Sequence, residues 1–184
     1  MLRTVSKNTL FFIKTKQKEV MKNLYIFRHG EAEDFASEGG DDARALTPRG
    51  SKAFEQAARF WASFLPETLV IFTSPLTRAR QTAEILSSAL RGTPKLQVES
   101  LLRPYEDPSD LIAGLPACQD LVLIGHMPQL GRLIGGLLTG IPSAQIPLSK
   151  GMGVWIRSHS WTSGRGRLRA AFHQKDAGTL FKNL

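Results

Sequence analysis

The chain has 184 residues, of which 42% are hydrophobic and 22% charged, the composition of one soluble globular domain with a proper core. No apolar run approaches the ~20 residues that cross a bilayer, so no membrane partner is expected. The lone cysteine, Cys118, excludes an internal disulfide and a Cys-rich zinc cage, and it fits a reducing, cytoplasmic compartment. The net charge of +8 sits at the two ends: residues 1–20 carry +4, residues 157–184 carry +5, and the stretch between them carries −1. With no aromatic platform beside the basic ends, a solvated surface is expected there, not nucleic-acid binding.

Residues 1–20 lack the periodicity of the rest of the chain, and Met21 stands directly before a strong strand. They read as a disordered leader or an upstream-start extension, with 21–184 as the folded domain. Leu24-Tyr25-Ile26-Phe27 is the first strand and runs into Arg28-His29-Gly30. Thr47-Pro48 opens a helix, Thr47 as cap and Pro48 at the first helical position, which runs to about Phe64 and stops at Pro66. Leu69-Val70-Ile71-Phe72 is a second strand, and Ser74-Pro75 repeats the cap-then-proline start of a helix reaching Leu90. Leu121-Val122-Leu123-Ile124 is a third strand, followed by Gly125-His126-Met127-Pro128 and a helix ending near Gly140. Gly153–Ile156 and Leu168–His173 read as a hairpin around Ser163-Gly164-Arg165-Gly166.

Runs of four apolar residues predict strands buried on both faces, and their alternation with helices predicts an α/β fold with a mostly parallel sheet. Ligands of such sheets bind at the carboxyl ends of strands. His29, Arg78 and His126 all lie at such ends. Imidazole is a competent nucleophile near neutral pH. Phosphoryl transfer then needs an in-line attack and positive groups on the equatorial oxygens, for which the arginine fork of Arg28 and Arg78 is suited. Each residue alone has a plainer reading, a capped surface histidine or a solvated arginine; the weight lies in their co-occurrence. No Gly-x-Ser-x-Gly elbow, P-loop or His-Glu-x-x-His pair competes. A metal is disfavoured because two arginines flank the only histidines available, and no other cofactor is expected.

Phe27-Arg28-His29-Gly30-Glu31-Ala32 resembles the signature of the histidine phosphatase superfamily, the phosphoglycerate-mutase-like fold. Thr73-Ser74-Pro75-Leu76-Thr77-Arg78-Ala79-Arg80-Gln81-Thr82-Ala83 is similar to its second block and Ile124-Gly125-His126-Met127-Pro128 to its third. The compact domain, the segment Arg44-Ala45-Leu46-Thr47-Pro48-Arg49-Gly50 and the Gly-His-Met-Pro form of the third block most resemble the SixA-type phosphohistidine phosphatases. The resemblance implies a three-layer α/β/α sandwich. It implies His29 as phosphoacceptor, Arg28, Arg78 and His126 completing the phosphate pocket, and Arg44 at its rim.

The substrate turns on a general acid. An oxygen ester needs one to protonate its leaving group, whereas phosphohistidine leaves as an imidazole with far less help. The stretch expected to carry the acid holds Glu99, Glu106 and Asp107, of which the last two, beside Pro108, also fit a solvated turn. This favours a phosphohistidine phosphatase acting on a histidine-containing phosphotransfer domain. The alternatives are a phosphatase for a small sugar or nucleotide ester and a non-catalytic module binding phosphorylated partners.

Overall fold

The computed structural model describes residues 20–36, 38–92, 94–116 and 120–182. The expectations for the leader (Val20 apart) and for Cys118 lie outside them.

Six strands form one sheet in the order β3-β2-β4-β1-β5-β6. They are β1 (Lys22–Arg28), β2 (Val70–Thr73), β3 (Lys95–Val98), β4 (Asp120–Gly125), β5 (Gly153–Ser158) and β6 (Arg167–Phe172). β3, β2, β4 and β1 run parallel; β5 pairs antiparallel with β1, and β6 with β5 as the expected hairpin. The helices are α1 (Gly40–Ala43), α2 (Pro48–Ala62), α3 (Thr77–Ala89), α4 (Pro108–Gly114), α5 (Gln129–Thr139) and α6 (Gln174–Lys182).

The continuous apolar runs are explained by burial on both sides of the sheet. Tyr25 and Phe27 of β1, with Val122 and Ile124 of β4, pack into one core with Phe54 and Trp61 of α2 and Ala79, Ala83 and Leu86 of α3. Leu24 and Ile26, with Leu121 and Leu123, pack into the other with Leu111 of α4 and Leu130, Leu133, Ile134 and Leu137 of α5. Because strand side chains alternate in direction, a strand covered by helices on both faces must be apolar at every position. The result is an α/β/α sandwich.

Thr47 caps α2 as expected: its Oγ1 accepts from the Gly50 amide at 2.9 Å, with Pro48 at the first position. Gly140 ends α5 at φ 78°, a left-handed conformation that glycine adopts without strain. The start of α3 differs from expectation. Leu76, not Ser74, is its cap residue, so Pro75 lies outside the helix and Arg78 is its second residue. Ser74 is buried, and its hydroxyl is turned toward His126 instead.

Candidate active site

Three neighbouring strands stop at nearly the same level and deliver the site. The first residue beyond β1, His29, donates its amide to Gly125 O of β4 at 3.1 Å, and the first beyond β2, Ser74, donates to Ile124 O at 2.9 Å. His126 follows β4 directly. The chain leaves the sheet here because each strand passes into a turn, and the imidazoles of His29 and His126 come to lie 4.9 Å apart between ring centroids. Together with Arg28, Arg44, Asp41, Arg78, Pro104, Tyr105 and Met127 they line a cavity of about 450 Å³. The structure thus brings together His29, Arg28, Arg78 and His126, with Arg44 in the cavity wall.

The His29 ring has a defined tautomer. Its Nδ1 lies 2.7 Å from Gly30 O, and a carbonyl can only accept, so Nδ1 carries the proton and Nε2 holds a lone pair. Burial pushes the His29 pKa down to about 3; the Gly30 carbonyl works against this, while Arg78, Arg28 and Lys150 add to it. Burial likewise pushes His126 down to about 2, helped by His29 and Arg78. Both rings are therefore neutral at pH 7.

Gly30 does not have a positive φ, so the turn after His29 does not require glycine conformationally. It is a close approach that favours it, since a Cβ there would press on Leu46 at 3.3 Å. The turn is also tied to α3. The Gly30 amide donates to Thr82 Oγ1 at 3.1 Å, and that hydroxyl donates to Arg78 O at 2.6 Å. One helical position earlier, Gln81 Oε1 accepts from the Leu46 amide at 2.7 Å. These bonds give the polar residues of the second block a physical purpose: they fasten the segments around His29 to the helix that carries Arg78.

Arg28 donates through Nη1 to Leu148 O at 2.7 Å, and its Nε is buried without a partner. Burial, with Arg78 nearby, lowers the Arg28 pKa from its ordinary value. Arg78 is only 3% exposed, and its Nε also has no partner. Two close guanidinium groups beside two neutral imidazoles make a cavity suited to a multiply charged anion.

Sequence reasoning missed Asp41. Its carboxylate lies 2.8 Å from Arg78 Nη2 and 2.6 Å from Arg44 Nη2, and its carbonyl accepts from Arg78 Nη1 at 2.7 Å. Burial alone would raise its pKa, but the hydrogen bonds from Arg78 and Arg44 outweigh that and hold it below the usual carboxylate range. The available signal was its place three residues before Arg44, on one face of a helical turn. Tyr105 at the cavity mouth, 84% exposed, was also missed as a lining residue.

The candidate acids of the sequence do not reach the cavity, and for Asp107 this agrees with the turn reading. Glu99 accepts from the Leu101 amide at 3.0 Å, and Asp107 caps α4 by accepting from the Ser109 amide at 2.8 Å. Neither they nor Glu106 is among the residues lining the cavity. Among the described residues no group of three or more His, Cys, Asp or Glu is placed to hold a metal ion. No helix among them is long and apolar enough to cross a membrane.

The parallel strand ends, paired histidines and arginines form an anion-suited cavity at the edge of an α/β/α fold. Residues 24–104 match the profile of the Histidine phosphatase superfamily (branch 1). A Phosphohistidine phosphatase SixA homolog of Haemophilus influenzae is 33% identical over 129 residues, spanning 62% of this chain and 76% of that protein. An uncharacterized protein of Picosynechococcus sp. is 37% identical over 152 residues, spanning 80% and 88%. The solved structure of the protein histidine phosphatase SixA complexed with tungstate shares the fold, with a TM-score of 0.70, 23% identity, and coverage of 83% and 97%. The chain belongs to the histidine phosphatase superfamily, on its SixA-type branch, and is a phosphatase.

Proposed function

We propose that this phosphatase removes the phosphoryl group from a phosphorylated histidine of a signalling protein, through a covalent phospho-His29 intermediate. The observation that carries the reading is the state of the cavity's carboxyl. Asp41 is the one carboxyl among the described lining residues, and Arg78 and Arg44 hold it ionised. An ionised carboxylate cannot protonate a departing alkoxide, so an oxygen ester is a poor substrate here. An imidazole whose other ring nitrogen carries a proton leaves as a neutral molecule without such help.

In the first step the His29 Nε2 lone pair forms a bond to phosphorus as the phosphorus–nitrogen bond of the substrate breaks. The Nδ1–H···Gly30 O bond holds the ring for this attack and steadies the positive charge that develops on it. Arg28 and Arg78 neutralise the equatorial oxygens, with a phosphoryl oxygen replacing the Asp41 carboxylate on Arg78, while Asp41 stays paired and ionised on Arg44. In the second step water attacks phosphorus, orthophosphate departs, and His29 returns to its neutral state. On this reading the partner is a histidine-containing phosphotransfer domain in the cytoplasm, and residues 21–184 form the catalytic domain.

Incubation with a ³²P-labelled phosphohistidine domain followed by rapid quenching should leave label on His29, and His29→Ala should take up none. Turnover should be compared with a panel of sugar and nucleotide monophosphates. Hydrolysis of those esters with an inert phosphohistidine domain would overturn the substrate assignment.

A further inference from the structure

Ser74 is fully buried, and its Oγ lies 2.9 Å from His126 Nε2. Its main chain is fixed by the bond from its amide to Ile124 O at 2.9 Å. The Leu76 amide reaches the same Oγ at 3.4 Å, and an amide can only donate, so it takes an acceptor site of the hydroxyl. The hydroxyl proton has one acceptor within reach among the described residues, His126 Nε2. If Nε2 carried the proton instead, the Ser74 O–H would be a buried donor with no partner, at a cost of about 1–3 kcal/mol. The other ring nitrogen, His126 Nδ1, is buried and unpartnered, in a ring that lines the cavity beside His29.

We infer that Ser74 is a positioning residue that donates to His126 Nε2 and so holds neutral His126 in the Nδ1–H tautomer, offering an N–H donor to a phosphoryl oxygen. This rests on the reading of the cavity as a phosphoryl site and adds the group that sets its second histidine. The two adjacent neutral imidazoles then have opposite roles. Gly30 O fixes His29 so that its free nitrogen is a lone pair, and Ser74 fixes His126 so that its free nitrogen is a donor. A lone pair at His126 would face the oxygens of an anion and repel them; an N–H attracts them and strengthens as charge builds on them.

The test is the tautomer itself. Long-range ¹H–¹⁵N spectra of the full chain with ¹⁵N-labelled histidine, recorded at pH 7 and assigned with a His126→Gln variant, should show His126 protonated at Nδ1. Ser74→Ala should shift the ring toward the Nε2–H form and lower kcat by about tenfold or more. Ser74→Thr, which keeps the hydroxyl, should restore both. A wild-type ring protonated at Nε2 overturns the inference even if Ser74→Ala fails to fold. So does a folded Ser74→Ala protein that keeps the Nδ1–H form and its kcat. An Nδ1–H ring in the wild type supports the assignment whether or not His29 takes up phosphate, so the two readings fail separately.

Discussion

Arg78 and Asp41 form an ion pair inside the phosphatase cavity, with Nη2 2.8 Å from the carboxylate and Nη1 bonded to the main-chain carbonyl of the same residue at 2.7 Å. Both terminal nitrogens of the buried guanidinium are thereby occupied from the short helix α1. A carboxylate resembles two oxygens of a phosphate, so α1 competes for the same fork that an oxyanion would use. The pair is asymmetric: the Arg78 side chain is 4% exposed and that of Asp41 59%. The arginine is fixed by the core, and the acid is the partner able to yield.

Replacing Asp41 by Ala should therefore tighten oxyanion binding. With the carboxylate end of the pair 59% exposed, solvent screening limits what it contributes to about 1 kcal/mol, so the inhibition constant for orthophosphate should fall by no more than about fivefold. Inhibition titrations at constant ionic strength measure this. Weaker phosphate binding in the variant would mean that Asp41 organises Arg78 for the anion and does not compete with it.

The two histidines make stability depend on acid. In the unfolded chain each takes a proton near 6.5, whereas burial holds the folded rings neutral down to about 3 for His29 and about 2 for His126. Between these limits the unfolded chain binds more protons, so stability falls as pH falls below about 6.5, by as much as about 3 kcal/mol per pH unit for both together. Above 6.5 the two states bind protons equally at these positions and the effect vanishes. Urea midpoints at pH 7 and pH 5 should show the loss, and a His29→Asn, His126→Asn double variant should show much less of it.

Thr82 links His29 to Arg78, accepting from the Gly30 amide and donating to Arg78 O. Thr82→Val keeps the shape but strands the Gly30 N–H in a buried place, costing about 1–3 kcal/mol. Loosening the turn that carries His29 should also lower kcat/KM more than an equally destabilising change in α6. Thermal unfolding and steady-state rates on the same preparation separate the two effects.

Gly50 lies in the first turn of α2, which docks on the chain leaving His29: the Thr47 amide donates to Glu31 O at 3.0 Å. A Cβ at Gly50 would collide with that same Glu31 carbonyl. Gly50→Ala should therefore push α2 from the loop and destabilise the fold by about 1–3 kcal/mol, with lower activity. Gly136→Ala, whose Cβ meets nothing within 4 Å, is the control and should leave stability within about 1 kcal/mol of the wild type.

The elements legible in the sequence carried either a continuous apolar run or a local turn or cap signal; the exposed strand β6 was read from the Ser163-Gly164-Arg165-Gly166 turn before it, not from burial. β1, β2 and β4 lie under helices on both faces, and their unbroken apolar runs announce it. The edge strand β3, Lys95–Val98, is largely exposed and carries no such run. α4 buries only Leu111, and α6 only Ala177 and Gly178, so neither shows the wide apolar stripe that marks a core helix. These three were missed for that reason.

The same division holds at the site. The sequence by itself determined that His29 and His126 follow strand ends and that Arg78 stands in the first turn of the helix after β2, because the apolar runs before them are local features. What each polar group does there was decided only by tertiary structure. Ser74 read as a helix cap and Asp107 as a candidate acid; in the fold Ser74 faces His126, and Asp107 caps α4 away from the cavity. Asp41 gave little sign at all, yet it occupies Arg78. A hydroxyl or carboxylate can satisfy itself with a neighbouring amide or with a distant side chain at similar energy. Which partner it takes depends on the packing of strands far apart in sequence, and local pattern carries no record of that.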